Sequence, residues 1–233
     1  MDRRELLGAL GALGAVPVCA AVGSAAADPK KGPLGHDHLH VCGIHMAKAN
    51  PKLQFITHHY CVGHKRGGAG DVYQCVLFDG TGSDAKLIGV EYIISDAAYR
   101  KLPDDEKKYW HPHTYEVLGG GLIAPGMDPK AEMDVMELVL TTWGKAWHTW
   151  PNPAEDVPTG APMLIWSLMG DGQVDKNVLA RRDEQYRIDT KALCDARGKA
   201  IGYEAPNVSL PADANTVGRQ WKDDGEDKPT QKK

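Results

Sequence analysis

The sequence predicts a single α+β domain, an antiparallel sheet of about five strands packed by a Trp-bearing helix and shorter helices. Three observations predict it. Short runs rich in Val, Ile, Tyr and Phe recur between residues 52 and 94 with a glycine-rich spacer, as antiparallel strands do. Beyond Pro129 the apolar residues recur at helical spacing instead. Between these regions Tyr109-Trp110-His111-Pro112-His113-Thr114-Tyr115-Glu116 sets two imidazoles two residues apart with a carboxylate close behind, and the rest of the chain is arranged around that stretch.

The chain opens with Arg3-Arg4, then Leu6-Leu7 after one residue, an apolar Gly/Ala-rich run to Val22, and Ala25-Ala26-Ala27. Residues 1–27 thus have the form of a signal peptide with an A-x-A cleavage site. The paired arginines fit the twin-arginine export pattern, with Asp2 where Ser or Thr is usual and Gly8 where Lys is frequent. The expectation is an exported protein, periplasmic or extracellular. Substrates of that route fold before export and many carry a cofactor, which favours a bound metal or ligand without naming it. The formal charge of -4 holds no nucleic-acid signature. No later apolar run approaches the roughly 18 residues of a membrane span.

Residues 28–39 read as a flexible Pro/Gly/Lys lead-in that already contains histidine. His36, His38, His40 and His45 follow one another closely, either as an extended arm that binds metal or as a solvated tail. The domain itself is expected over residues 40–210. Lys52 to Cys61 and Val72 to Asp79 read as paired strands around the glycine-rich loop Gly63 to Gly70, and Lys86 to Ile94 as a third strand with Glu91 as its acidic residue. Ser95 caps a short helix, and Pro103-Asp104-Asp105-Glu106 opens another. Thr114 to Leu118 and Leu122 to Ala124 read as strands bent by Gly119-Gly120-Gly121. Met136, Leu140, Trp143 and Trp147 then mark one helix, Met163 to Leu168 a strand, Arg181 to Ala196 a final helix, and residues 211–233 a disordered charged tail.

Cys42, Cys61, Cys75 and Cys194 follow the leader without a CxxC pair. Cys61 and Cys75, across the predicted hairpin, are the closest disulfide candidates, against a plainer reading as buried thiols. All ten histidines lie between residues 36 and 148. The candidate ligands on predicted structure are His58 or His59, Glu91, His111, His113, Glu116 and His148. Neutral imidazole with carboxylate is the donor set of zinc, iron or manganese. Pro112 holds His111 extended, so His111 and His113 face one way, and Glu116 joins them only if the chain turns or becomes helical. Each histidine alone has a plainer reading as a hydrogen-bonded or surface residue. The spacing is similar to the first cupin motif, but the gap before Glu116 is short and the predicted strands are too few for that barrel.

His58-His59-Tyr60-Cys61, Gln74-Cys75, Ala85-Lys86-Leu87-Ile88-Gly89-Val90-Glu91-Tyr92-Ile93, Leu102-Pro103, Trp110-His111-x-His113-x-Tyr115-Glu116-Val117, Gly144-Lys145-x-Trp147-His148-x-Trp150 and Asp171-Gly172-Gln173 together resemble the oil-body-associated protein family of plants. The resemblance runs from about residue 40 to 175. It implies a soluble-looking protein with an affinity for lipid surfaces or acyl ligands, and it carries no catalytic residues over. An export leader and a His-rich arm set this chain apart from the plant members, so attachment to oil bodies does not transfer. The leading expectation is a non-catalytic exported protein that binds a metal ion or a small or lipid-like ligand at the His/Glu cluster. The alternatives are a metal-dependent enzyme with Glu91 or Glu116 as general base, and a lipid-surface or partner-binding protein with structural histidines.

Overall fold

The computed structural model describes residues 38–66, 70–170 and 172–201. The expected signal peptide, nearly all of the lead-in and the charged tail lie outside the described residues. The strands are β1 (Leu39–Ala47), β2 (Asn50–Arg66), β3 (Gly70–Phe78), β4 (Leu87–Ser95), β5 (His111–Pro112), β6 (Thr142–His148) and β7 (Met163–Ser167). The helices are α1 (Asp96–Tyr99), α2 (Asp104–Lys107), α3 (Thr114–Leu118), α4 (Pro129–Val139), α5 (Lys176–Tyr186) and α6 (Thr190–Ile201).

The sheet closes on itself. Hairpin pairing joins β1 to β2, β2 to β3 and β3 to β4. β4 then pairs with β6 from Gly89 opposite His148 to Ser95 opposite Thr142, β6 pairs with β7, and β7 returns to β1 with His45 opposite Ser167. The result is a six-stranded antiparallel barrel with β5 as an extra strand on β6. The expected open sheet packed by helices is therefore overturned, and so is the strand count that argued against a barrel. The reason lies in two misread segments. β1 was hidden in the histidine-rich arm and β6 in the predicted Trp helix, and these two strands make the pairings that close the ring.

The Trp helix shows why. Trp143 and Trp147 are four residues apart, a separation that returns to one face of a helix and equally to one face of a strand. Asp128 caps α4 through the Lys130 and Ala131 amides, Pro129 fills its first turn, and the helix ends at Val139 before the β-branched Thr142 starts β6. Trp143 instead stacks on Tyr99 of α1 outside the barrel, with ring centroids 3.6 Å apart, and packs with Ile94 and Trp110. Thr114–Leu118, expected as a strand, is the helix α3, and Ile123 makes only an isolated bridge to Cys42. The predicted helix over Arg181 to Ala196 is two helices, α5 ending at the left-handed Arg187 (φ 54°).

Every residue of β1 from Val41 to Ala47 is buried, because the barrel fills one face and helices cover the other. Ile44 and Met46 pack with Trp166 of the neighbouring strand β7, with Leu168 just after it and with Val178 of α5. Val41 meets Val117, Leu122, Met136 and Leu140, which α3 and α4 bring against the start of the strand. A strand buried on both faces loses the apolar-polar alternation that would announce it.

Candidate metal centre

Strand alternation sends alternate residues into the barrel, and in this chain several of them carry imidazole or carboxylate. From β4, Glu91 reaches the middle and divides its two oxygens between two groups of histidines. Its Oε2 lies 3.0 Å from His59 Nε2 of β2 and 3.9 Å from His45 Nε2 of β1. Its Oε1 lies 3.4 Å from both His111 Nε2 of β5 and His113 Nε2 at the entry to α3. His59 Nε2 and His45 Nε2 are 2.9 Å apart, and His45 Nδ1 is 3.1 Å from His148 Nε2 of β6. All of these side chains are buried.

Pro112 keeps His111 extended while its backbone pairs with Gly144, and the chain turns helical directly after His113. The helical turn brings Glu116, three residues on, to 3.7 Å from His113 Nε2. His113 Nδ1 sits 2.7 Å from Thr142 Oγ1, and the Thr142 hydroxyl donates its one proton to the Val139 carbonyl at 2.6 Å. The threonine oxygen therefore accepts from His113, which places the proton on Nδ1 and turns the Nε2 lone pair toward two carboxylates. A lone pair facing two anions needs a cation or a proton between them.

The electrostatics agree with that geometry. Burial pushes the Glu91 carboxyl up, but hydrogen bonds with His111, His113 and His59 outweigh it and hold Glu91 well below the usual carboxylate range. Burial pushes Glu116 up as well, and there it prevails, taking the carboxyl to about 7 with the Glu91 charge adding to it. Burial lowers His113, yet Glu91 and Glu116 outweigh it and raise His113 above its ordinary value. Burial lowers His111, takes His45 well below its ordinary value and His148 to about 3. Neutral imidazoles beside an ionised carboxylate are the protonation states that metal binding requires.

Two structural devices make room and fix position. A Cβ at Gly144 would lie 2.6 Å from His113 Nε2, 2.8 Å from His111 Nε2 and closer still to Glu91 Oε1, so only glycine leaves this space open. Two buried arginines hold the turn after α3. Arg182 of α5 donates to the Gly120 and Gly121 carbonyls at 2.9 Å, and Arg197 of α6 donates to the Val117 and Leu122 carbonyls at 2.6 and 2.8 Å. Gly120, with φ +68°, supplies the left-handed residue that the turn needs. A pocket with about 520 Å³ of empty space, part of it open solvent, leads down to the cluster. Its wall is apolar, including Leu39, Val41, Tyr73, Ile93 and Leu138, and its floor is His59, Glu91, His113, Glu116 and Thr142.

Of the residues named from sequence, His59, Glu91, His111, His113 and Glu116 meet in the barrel, and His148 stands behind His45. His58 points to the other face, where its ring lies 3.2 Å from both His40 Nε2 and the Tyr186 hydroxyl. His45, read as part of an arm, is a core residue of β1. Its signal was the apolar run Val41 to Ala47, which the neighbouring histidines obscured. Cys61 and Cys75 face each other across β2 and β3 and form a disulfide, while Cys42 and Cys194 are free.

No described helix is long and apolar enough to cross a membrane. No solved structure matches the chain. It is 33% identical to oil body-associated protein 1A of Zea mays, over 77% of this chain and 82% of that protein. It is 30% identical to oil body-associated protein 1B of Arabidopsis thaliana, over 82% and 76%. With oil body-associated protein 2A of Zea mays it shares 35% over 78% and 71%. The profile of a family described as protein of unknown function (DUF1264) covers residues 31–200. On that coverage and those identities, the chain belongs to the oil-body-associated protein family.

Proposed function

We propose that this protein binds a divalent transition metal ion, zinc, iron or manganese, inside the barrel, and receives a small apolar ligand from the pocket above it. The reading rests on one observation: imidazole Nε2 atoms from β1, β2, β5 and the start of α3 converge on Glu91, and His113 is oriented by Thr142 so that its lone pair faces the carboxylates. Imidazole with carboxylate suits these metals, and a hydroxyl that fixes the far nitrogen of a ligating histidine is the usual support of such a site. The apolar wall suits an aliphatic or acyl body, consistent with the oil-body association in the relatives' names. Elemental analysis of the folded full chain, beside a His111→Ala, His113→Ala double variant, tests the reading. Near-stoichiometric metal that disappears in the variant is expected. Metal-free protein that takes up none of the three ions would sink it.

A second reading, a metal-dependent enzyme, is favoured by Glu116, whose carboxyl lies on the pocket floor and is pushed up to about 7, where it can give and take a proton. Turnover of a chromogenic acyl ester by metal-loaded protein, lost in a Glu116→Gln variant that keeps its metal, is the expected result, and inert loaded protein counts against it. The surface-binding reading has only the exposed Leu53, Leu87, Tyr92, Leu138 and Val157 among the described residues to stand on. The Arg3-Arg4 leader supports export in the folded state to the periplasm or beyond, which cell fractionation of wild type against an Arg3→Lys, Arg4→Lys variant would test.

A further inference from the structure

Glu91 does not gather its histidines around one point. The ligand atoms of His45, His59 and Glu91 lie within 4.8 Å of one another, those of Glu91, His111 and His113 form a second such group, and the carboxylate is the member they share. The division follows the two oxygens, with Oε2 facing His45 and His59 and Oε1 facing His111 and His113.

We infer that the barrel holds two divalent metal ions, one in each group, with Glu91 bridging them through its two oxygens. This inference rests on the metal-binding reading above and specifies it. The first group forms a triangle with sides 2.9, 3.0 and 3.9 Å. Such a triangle contains a point about 2.0 Å from each corner, the length of a zinc–imidazole bond. In the second group, Glu91 Oε1 stands 3.4 Å from each histidine nitrogen. Neighbouring ligands of a tetrahedral ion with bonds of about 2.1 Å are separated by about that distance. A carboxylate that binds one ion through each oxygen sets a separation on the order of 3.5–4 Å, the span of two-metal sites.

The surroundings fit two ions better than one. Glu116 adds a carboxylate beside His113 on the second side, and His148 buttresses His45 on the first. The pocket floor takes His59 from the first group, His113 from the second and Glu91 between them, so the open face looks onto the bridge. Two divalent ions exceed the charge of Glu91 and Glu116, and the lining of the pocket includes no Lys or Arg among the described residues. The balance falls to hydroxide or to an anionic oxygen ligand, such as the carboxylate of an apolar acid, placed across both ions.

The test is metal stoichiometry and spin coupling in the full chain, stripped and then titrated with manganese(II). Wild type should bind two ions per chain and give the electron paramagnetic resonance spectrum of an exchange-coupled pair. The His45→Ala, His59→Ala variant and the His111→Ala, His113→Ala variant should each keep one ion and lose the coupling, and Glu91→Gln should lose the coupling as well. One ion per chain, lost from either double variant, would overturn the bridge and leave a mononuclear centre. Two uncoupled ions would overturn it too. No ion at all would sink the metal reading itself. The wild-type count needs no variant to fold, and Gly144→Ala, whose added methyl group meets the shared Glu91 as well as His111 and His113, should lose the coupling by an independent route.

Discussion

His113 Nδ1 and Thr142 Oγ1 are 2.7 Å apart, and the hydroxyl is committed to the Val139 carbonyl. The contact fixes a tautomer rather than adding much stability. Thr142→Val, nearly the same shape, should keep the fold and lower metal affinity by about 10–100-fold, the usual effect of removing such a support. Isothermal titration with zinc measures it, and unchanged affinity would mean that His113 is oriented by something else.

Gly144 marks a place where a methyl group is too large. Gly144→Ala forces Glu91, His111 or His113 aside and should cost about 1–3 kcal/mol of stability. At Gly43 an added Cβ meets Leu122 Cδ1 at 3.3 Å and His59 Cε1 at 3.4 Å, so Gly43→Ala should be milder. Urea unfolding of the two metal-free variants compares them, and equal costs would contradict the packing described.

Arg197 should be a stability residue that also acts at the centre. It serves the carbonyls at both ends of the turn and pairs with Glu132 at 3.1 Å. Arg197→Met leaves those groups buried without their donor and should cost about 3–5 kcal/mol. The same variant frees the segment that carries Glu116, so metal affinity should fall with it. A full loss of stability with affinity untouched would uncouple the turn from the centre.

The Cys61–Cys75 disulfide closes a loop with a sequence separation of 14 and should contribute about 3 kcal/mol by restricting the unfolded chain. The difference in unfolding free energy between oxidised and reduced protein, from urea midpoints and slopes, reads this. A difference below a third of that size would place the stabilisation elsewhere.

Acid should weaken the metal-free protein through its buried imidazoles. His148 is lowered by burial from 6.5 to about 3, so below pH 6.5 the unfolded chain takes up a proton that the folded one refuses. Stability from this group is intact above about 6.5 and is lost as the pH falls toward 3. Glu116 acts in the opposite sense, its contribution present below 4.5 and lost as the pH rises through about 7. A His148→Gln variant should therefore show a shallower loss of stability between pH 6 and 4 than wild type.

The parts of the fold that were legible in sequence are those written in local patterns. β2 and β3 followed from β-prone runs on either side of a glycine-rich loop and β4 from an apolar run around Glu91, Ser95 and Pro103-Asp104 marked short helices, and the Pro112 constraint put His111 and His113 on one target. What was not legible depends on partners remote in sequence. His45 became recognisable only once β1 was seen to be buried on both faces, and Trp143 and Trp147 carried a spacing shared by both periods. The pairing of Gly89 with His148 that brings Glu91 beside Gly144 is set by barrel closure, which no window of the chain records.

The donors come from β1, β2, β4, β5 and α3, and the full set stands together only when the ring is complete. His45 and His148 touch across a separation of 103 residues. An ion held by the complete set is a late arrival, since earlier in folding only fragments such as the His111-x-His113 pair and the His45–His59 hairpin pair are in place. It would leave the folding rate nearly unchanged and slow unfolding, acting as a lock on a finished barrel rather than a seed for it.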